Sequence, residues 1–219
     1  MADRTERGPS SGQGATPEAP VTLPTFDPNP SALFAVGLLK GAGAQFALIG
    51  KVAMWALLPP SAHEYTKDVD FAVRREAIEP LRAALARLGI VAKRLSIGGL
   101  AVREAEIRVD FIDRSEGGLA SLFEEAIDDA IQGGRRAQVG NETIPVVGPE
   151  YLVALKVVTG EDRDEHDAVR ILRALPELDL LRAREIVLRH GGPGSANRLD
   201  ALARRAGRAD ARPEYRNSG

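Results

Sequence analysis

The chain has 219 residues, 44% of them hydrophobic, a formal net charge of -2 and no cysteine. That is enough for one good core with a small helical unit appended, and it excludes disulfides, a thiol nucleophile and zinc–thiolate sites. The charge balance gives no global attraction for nucleic acid, leaving only a local basic groove open, and no long uncharged apolar run offers a membrane span.

In chain order, residues 1–28 are rich in Gly, Ser, Pro, Thr and charge and read as a disordered segment or tether. Asp3 and Glu6 lie there with no apolar core behind them, unlike a signal peptide, so the chain reads as cytoplasmic. Order is expected from Asn29-Pro30-Ser31, with Ser31 capping a helix that runs through Leu39. Phe46 to Ile49 is an apolar strand that stops at Gly50 and runs into a helix-compatible stretch, Lys51 to Leu57. Pro59 to His63 is a loop, in which His63 reads as a solvent-exposed histidine. Thr66 to Val73 is the next strand, and Ile78, Leu81, Leu85 and Leu88 then recur at helical spacing over Glu76 to Leu88. Ile90 to Ile97 and Leu100 to Ala105 flank Gly98-Gly99 and predict a hairpin.

Ile107 to Ile112 is a further apolar strand, and Leu119 to Ile131 a helix with Asp128 and Asp129 on a solvated face, broken at Gly133-Gly134. A second hairpin is expected around Gly140-Asn141. From Pro149 the chain is helical, with Leu152, Leu155 and Lys156 on one side of the first helix. Asp164 and Asp167 are neighbours on the next helix, read either as a surface acid pair or as functional. Leu178 to Leu188 predicts a helix ending at His190-Gly191-Gly192, and Ala196 to Ala206 a last basic helix with Arg198, Arg204 and Arg205. The tail from Gly207 is expected to fray.

The chemistry concentrates in Thr66-Lys67-Asp68-Val69-Asp70-Phe71. Strand alternation sends Asp68 and Asp70 to one side and Val69 and Phe71 to the other. Two carboxylates side by side in an apolar strand repel each other, and burial penalises both charges. A divalent cation removes both penalties, since hard oxygen ligands suit Mg²⁺ or Mn²⁺; the alternative is a pair of strand-end aspartates facing water. Asp110 supplies one more carboxylate on the same side of its strand as Arg108. A glycine at a strand-to-helix turn, as at Gly50, lets backbone approach a ligand, and the helix N-terminus behind it favours phosphate.

In this order Gly50, Asp68-x-Asp70 and Asp110 resemble the nucleotidyltransferase fold of the DNA polymerase β superfamily. Thr66, Lys156, Arg163, Asp164 and Asp167 are similar to motifs of its AbiEii/AbiGii toxin-like branch, over roughly Phe46 to Leu175. Two positions depart from that pattern: Lys51 replaces a small residue, and Glu64 stands where arginine would be.

The resemblance implies an α/β fold, a small mixed sheet flanked by helices and followed by a helical C-terminal part. It divides the chain into a nucleotidyltransferase-like core at 29–148, a helical part at 149–206 and a flexible tail at 207–219. It implies transfer of a nucleoside monophosphate from an NTP to a hydroxyl of RNA, protein or a small molecule such as an aminoglycoside. Asp68, Asp70 and Asp110 would act as metal ligands, with Asp110 also as base, and Gly50, Lys51, Thr66 and Lys156 would bind the nucleotide. A toxin–antitoxin or defence setting with a cognate partner follows from the branch. The alternative is a catalytically weakened member of the fold acting as an antitoxin or interaction partner, with Lys51 blocking the phosphate turn, binding phosphate, or reaching into solvent.

Overall fold

The computed structural model describes residues 28–208 apart from 105, 134 and 161. The expected tether at 1–27 and the tail from 209 lie outside the described residues. Helix α1 (Asn29–Gly41) begins two residues before Ser31, with proline in its first turn and no side-chain cap, so Ser31 sits buried inside the helix. The reason is that Pro30 fits the first turn at no cost, its missing N–H being one that a helix start leaves unpaired anyway.

Strand β1 (Phe46–Ile49) leads directly into α2 (Gly50–Leu57), and β2 (Asp68–Val73) pairs antiparallel with β1. Helix α3 (Ile78–Arg87) and the short β3 (Lys93–Arg94) come next, then β4 (Leu100–Glu104) and β5 (Ile107–Ile112). The sheet order is β1-β2-β5-β4-β3, with β2 and β5 the parallel pair and the other pairings antiparallel. The first expected hairpin is therefore shorter than its apolar pattern. Only Lys93 and Arg94 pair, opposite Ala101 and Leu100, because the Leu95 N–H bonds the Gly99 carbonyl and the turn starts early.

On one face of this sheet Val69, Phe71, Val109 and Phe111 are fully buried. Phe46 meets Phe71 edge-on at 5.8 Å, and Phe71 stacks on Phe111 at 6.2 Å. Helices α1 and α4 (Ala120–Gln132) cover that face. The hairpin of β6 (Arg136–Val139) and β7 (Glu142–Pro145) closes through Gly140-Asn141 and hangs on β1, where the Val147 N–H bonds the Leu48 carbonyl.

Three helices complete the chain: α5 (Pro149–Thr159), α6 (Asp162–Ala174) and α7 (Leu180–Arg205). Their apolar faces join the sheet's in one continuous core, which includes Leu152, Ile171, Val187 and Leu199. As expected, helical geometry is interrupted at Gly192 (φ 71°, ψ -176°), before Pro193, so that α7 consists of two helical halves meeting at a kink. Both halves are anchored in the same core.

Two further expectations are corrected, those for Asp129 and for the start of the tail. Asp129 is not solvated: it accepts the Gly148 N–H at 3.2 Å and pairs with Arg182 at 2.6 Å, tying α4 to α7. His63 is solvent-exposed as expected, with its ring stacked on Trp55 at 5.7 Å and its Nε2 3.0 Å from the Leu58 carbonyl. The tail does not fray at its start, because Arg208 donates to the carbonyls of Leu175, Pro176 and Leu178. Arg198 and Arg205 of the last helix reach Glu165 at 3.6 Å, stitching α7 to α6.

Candidate functional site

Register, more than sequence spacing, builds the site. Asp70 pairs across the parallel strands with Asp110, and Asp68 with Arg108, so all four project from the sheet face opposite the aromatic core. Gly50 adjoins them at the end of β1, where Ile49 is the register partner of Asp70. Gly50 has φ of +68°, and a Cβ placed there would fall 2.1 Å from Asp70 Oδ2. The glycine is thus required by the carboxylate beside it as well as by its backbone conformation.

Each acid has a distinct setting. The buried Thr66 hydroxyl donates to Asp68 Oδ1, so Thr66 orients a carboxylate. Arg108 Nε donates to Asp110 Oδ1 at 2.7 Å. Burial raises the Asp110 carboxyl above its ordinary range, against the lowering influence of Arg108. Asp70 is pushed up to about 7, first by burial and then by the charges of Asp68 and Asp110, with Lys156 and Arg108 pulling the other way.

Asp68 and Asp70 open into a cleft of about 490 Å³ whose other walls include Lys51, Thr66, Lys156, Arg163 and Asp164. Lys51 does not reach into solvent. Its ammonium lies 3.1 Å from Glu64 Oε2 and 3.3 Å from Asp167 Oδ1. Lys156 lies 2.6 Å from Asp164 Oδ1 and 3.1 Å from Asp167 Oδ2. Burial would lower the Lys156 pKa, but Asp164 and Asp167 outweigh it and hold the ammonium charged. Asp167 is therefore a hub and not a surface acid: 1% exposed, with one carboxylate oxygen on each lysine.

Glu64 also meets Arg170 at 2.6 Å. The two departures noted in the sequence, Lys51 and Glu64, are thus partners of each other. Neither that pairing nor the hub could be read from the chain, because three separate elements bring the groups together. The i, i+3 spacing of Asp164 and Asp167 was the one available signal.

Among the described residues, no three acidic or histidine side chains gather closely enough to enclose a metal by themselves. The donor set still fits Mg²⁺ or Mn²⁺. Such ions are held by one or two carboxylates with water and substrate phosphate completing the shell, and Asp68 and Asp70 are two hard carboxylates on one face. Asp110, expected as a third ligand, accepts from Arg108 through Oδ1.

No family model matches this chain, and no curated protein matches it. Among solved structures it is similar to the antibiotic-resistance factor ANT(2'')-Ia, at 13% identity over 82% of this chain and 98% of that one, with a TM-score of 0.49. It is similar to an antigenic nucleotidyltransferase-like protein from Paracoccidioides brasiliensis, at 14% identity over 79% and 92% of the two chains, TM-score 0.44. JHP933 from Helicobacter pylori is similar at 13% identity over 80% and 91%, TM-score 0.39. No helix among the described residues is long and apolar enough to cross a membrane.

Proposed function

We propose that this chain is a metal-dependent nucleotidyltransferase that moves an NMP from an NTP to an acceptor hydroxyl. The observation that carries the reading is the row Asp70–Asp110 beside Asp68, on one open sheet face at the Gly50 turn, with an Asp70 carboxyl raised to about 7. Burial raises that carboxyl most and the charges of Asp68 and Asp110 add to it, and a divalent cation would offset both.

Asp68 and Asp70 would hold the divalent ion. When bound, it supplies charge neutralisation on the phosphates and a lowered pKa at the acceptor hydroxyl. Asp110 takes the acceptor proton as that oxygen bonds to the α-phosphorus, the bond to the bridging oxygen breaks, and pyrophosphate leaves. Arg108 holds Asp110 by Oδ1, which leaves Oδ2 for the proton. Lys51 and Lys156 line the cleft as charged groups that steady the triphosphate. Little else is needed, because phosphoryl transfer depends mainly on positioning and neutralisation. The motif order around Asp68, Asp70 and Lys156 supports placing the chain in the AbiEii/AbiGii toxin-like branch, with a toxin–antitoxin or defence role.

One observation favours a second reading, a weakened homologue that acts as a binding partner. Lys51 and Lys156 are already neutralised by Glu64, Asp164 and Asp167. The test is incubation of the pure protein with each labelled NTP, Mg²⁺ or Mn²⁺ and total cell extract. Label transferred to a macromolecule or small acceptor, and lost in Asp70→Asn, is the expected result. Tight NTP binding without transfer under every condition would select the second reading.

A further inference from the structure

The sheet face that carries the acids continues past them and changes sign. The Asp68–Arg108 row extends to Arg103 on β4, and the Asp70–Asp110 row extends through Ala101 to Lys93 on edge strand β3. Lys93 is thus two strand spacings, about 10 Å, from Asp110. Lys93, Arg103 and Arg108 line a groove of about 560 Å³ on this side of the sheet, with Val91 and Leu95 between them.

Several features of this groove call for a ligand. Arg103 and Arg108 face each other on paired strands, an arrangement that destabilises a sheet unless something negative lies over it. Arg108 has Asp110, but among the described residues no acidic side chain pairs with Arg103 or Lys93. Arg94, turned to the other side at the edge, pairs with exposed Glu116 at 3.5 Å. Val91 is 90% exposed, an apolar surface set among cations. All this sits on a chain whose net charge is -2, so the cationic groove is a local feature.

Building on the nucleotidyl-transfer reading, we infer that the acceptor is the end of a single-stranded nucleic acid whose phosphates lie along Arg108, Arg103 and Lys93, with its terminal hydroxyl at Asp110. A row of cations reaching about 10 Å from the base spans the phosphates just before the reacting nucleotide. The exposed Val91 offers a surface to a base, which a simple polyanion would not use. The same cations repel a polycationic acceptor such as an aminoglycoside, and an acidic protein would gain nothing from a terminal hydroxyl placed at Asp110.

The experiment is fluorescence anisotropy of the full chain with labelled single-stranded RNA and DNA oligomers of one sequence, over a range of salt. Lys93→Gln/Arg103→Gln is compared with wild type, and circular dichroism confirms that the variant is folded. The expected result is at least a tenfold loss of affinity in the variant. Removing two phosphate contacts should also make the slope of log affinity against log salt shallower by about 1.4. RNA bound more tightly than DNA, or the reverse, names the kind of strand.

Affinity unchanged in the variant, competition by polyglutamate equal to that of the oligomers, or binding of an aminoglycoside in the same groove would each overturn the inference. NTP binding is measured in parallel and should be equal in variant and wild type. Oligomer binding that depends on Lys93 and Arg103 in a chain that binds no NTP would remove the transferase reading and leave the nucleic-acid surface standing.

Discussion

At the scale of single residues the site is a balance of charges set by burial. Asp70 titrates near 7 in the folded chain, far above an unfolded aspartate. The folded state therefore binds more protons than the unfolded state between roughly pH 4 and 7, and metal-free stability falls as pH rises through that window. Asp70→Asn should remove this slope, leaving the metal-free protein at pH 7 at least as stable as wild type and abolishing the thermal shift given by Mn²⁺. Thermal melts at several pH values, with and without Mn²⁺, check it; an equal Mn²⁺ shift in both proteins would remove Asp70 from the metal site. Gly50 makes a second test. Gly50→Ala must hold a positive φ and also displace the Asp70 carboxylate. It should lower stability by about 1–3 kcal/mol, and Asp70→Ala should recover part of that loss in a double-mutant cycle followed by urea unfolding.

At the scale of elements, α2, α5 and α6 meet through Asp167. Removing the carboxylate buried between two lysines leaves Lys51 with Glu64 alone and Lys156 with Asp164 alone, at a cost below the roughly 3–5 kcal/mol of a fully orphaned buried charge. Asp167→Asn should show that loss in urea denaturation. Asp164→Asn, at the better-exposed end of the network, should cost less. Lys51→Ala should weaken NTP binding if the ammonium exchanges Glu64 for phosphate, and Lys51→Gly should not restore it. An increase in NTP binding by Lys51→Gly would mean that the lysine blocks the turn, which favours the partner reading.

At the scale of the whole molecule the sheet and the C-terminal helices share one core, in which Leu152, Ile171, Val187 and Leu199 continue the packing begun by Phe71 and Phe111. Asp129 and Glu150 add polar ties, to Arg182 and to the Asp179 N–H. A fragment covering 28–148 should therefore fail to fold alone, and the full chain should unfold in a single transition. Circular dichroism of the fragment and urea melts of the chain read this directly; a folded fragment would mean that the two parts are independent.

Much of this was legible in the chain itself. Period-2 alternation in Asp68-Val69-Asp70-Phe71 put two acids on one face and the core on the other, and the glycine pairs and Pro149 marked turns and a helix start. These are local properties, set by backbone geometry and by residues one to four apart. A local signal failed where a serine cap competed with a proline. Pro30 displaced Ser31 from the start of α1, whereas Gly192 does interrupt the last helix, as its sequence implies. What only the tertiary structure decided was which distant groups meet: Asp110 beside Asp70, Lys51 against Glu64 and Asp167, Arg103 opposite Arg108. Strand register and helix docking fix those encounters. Both come from burying apolar faces that carry no record of which polar groups will be neighbours on the other side.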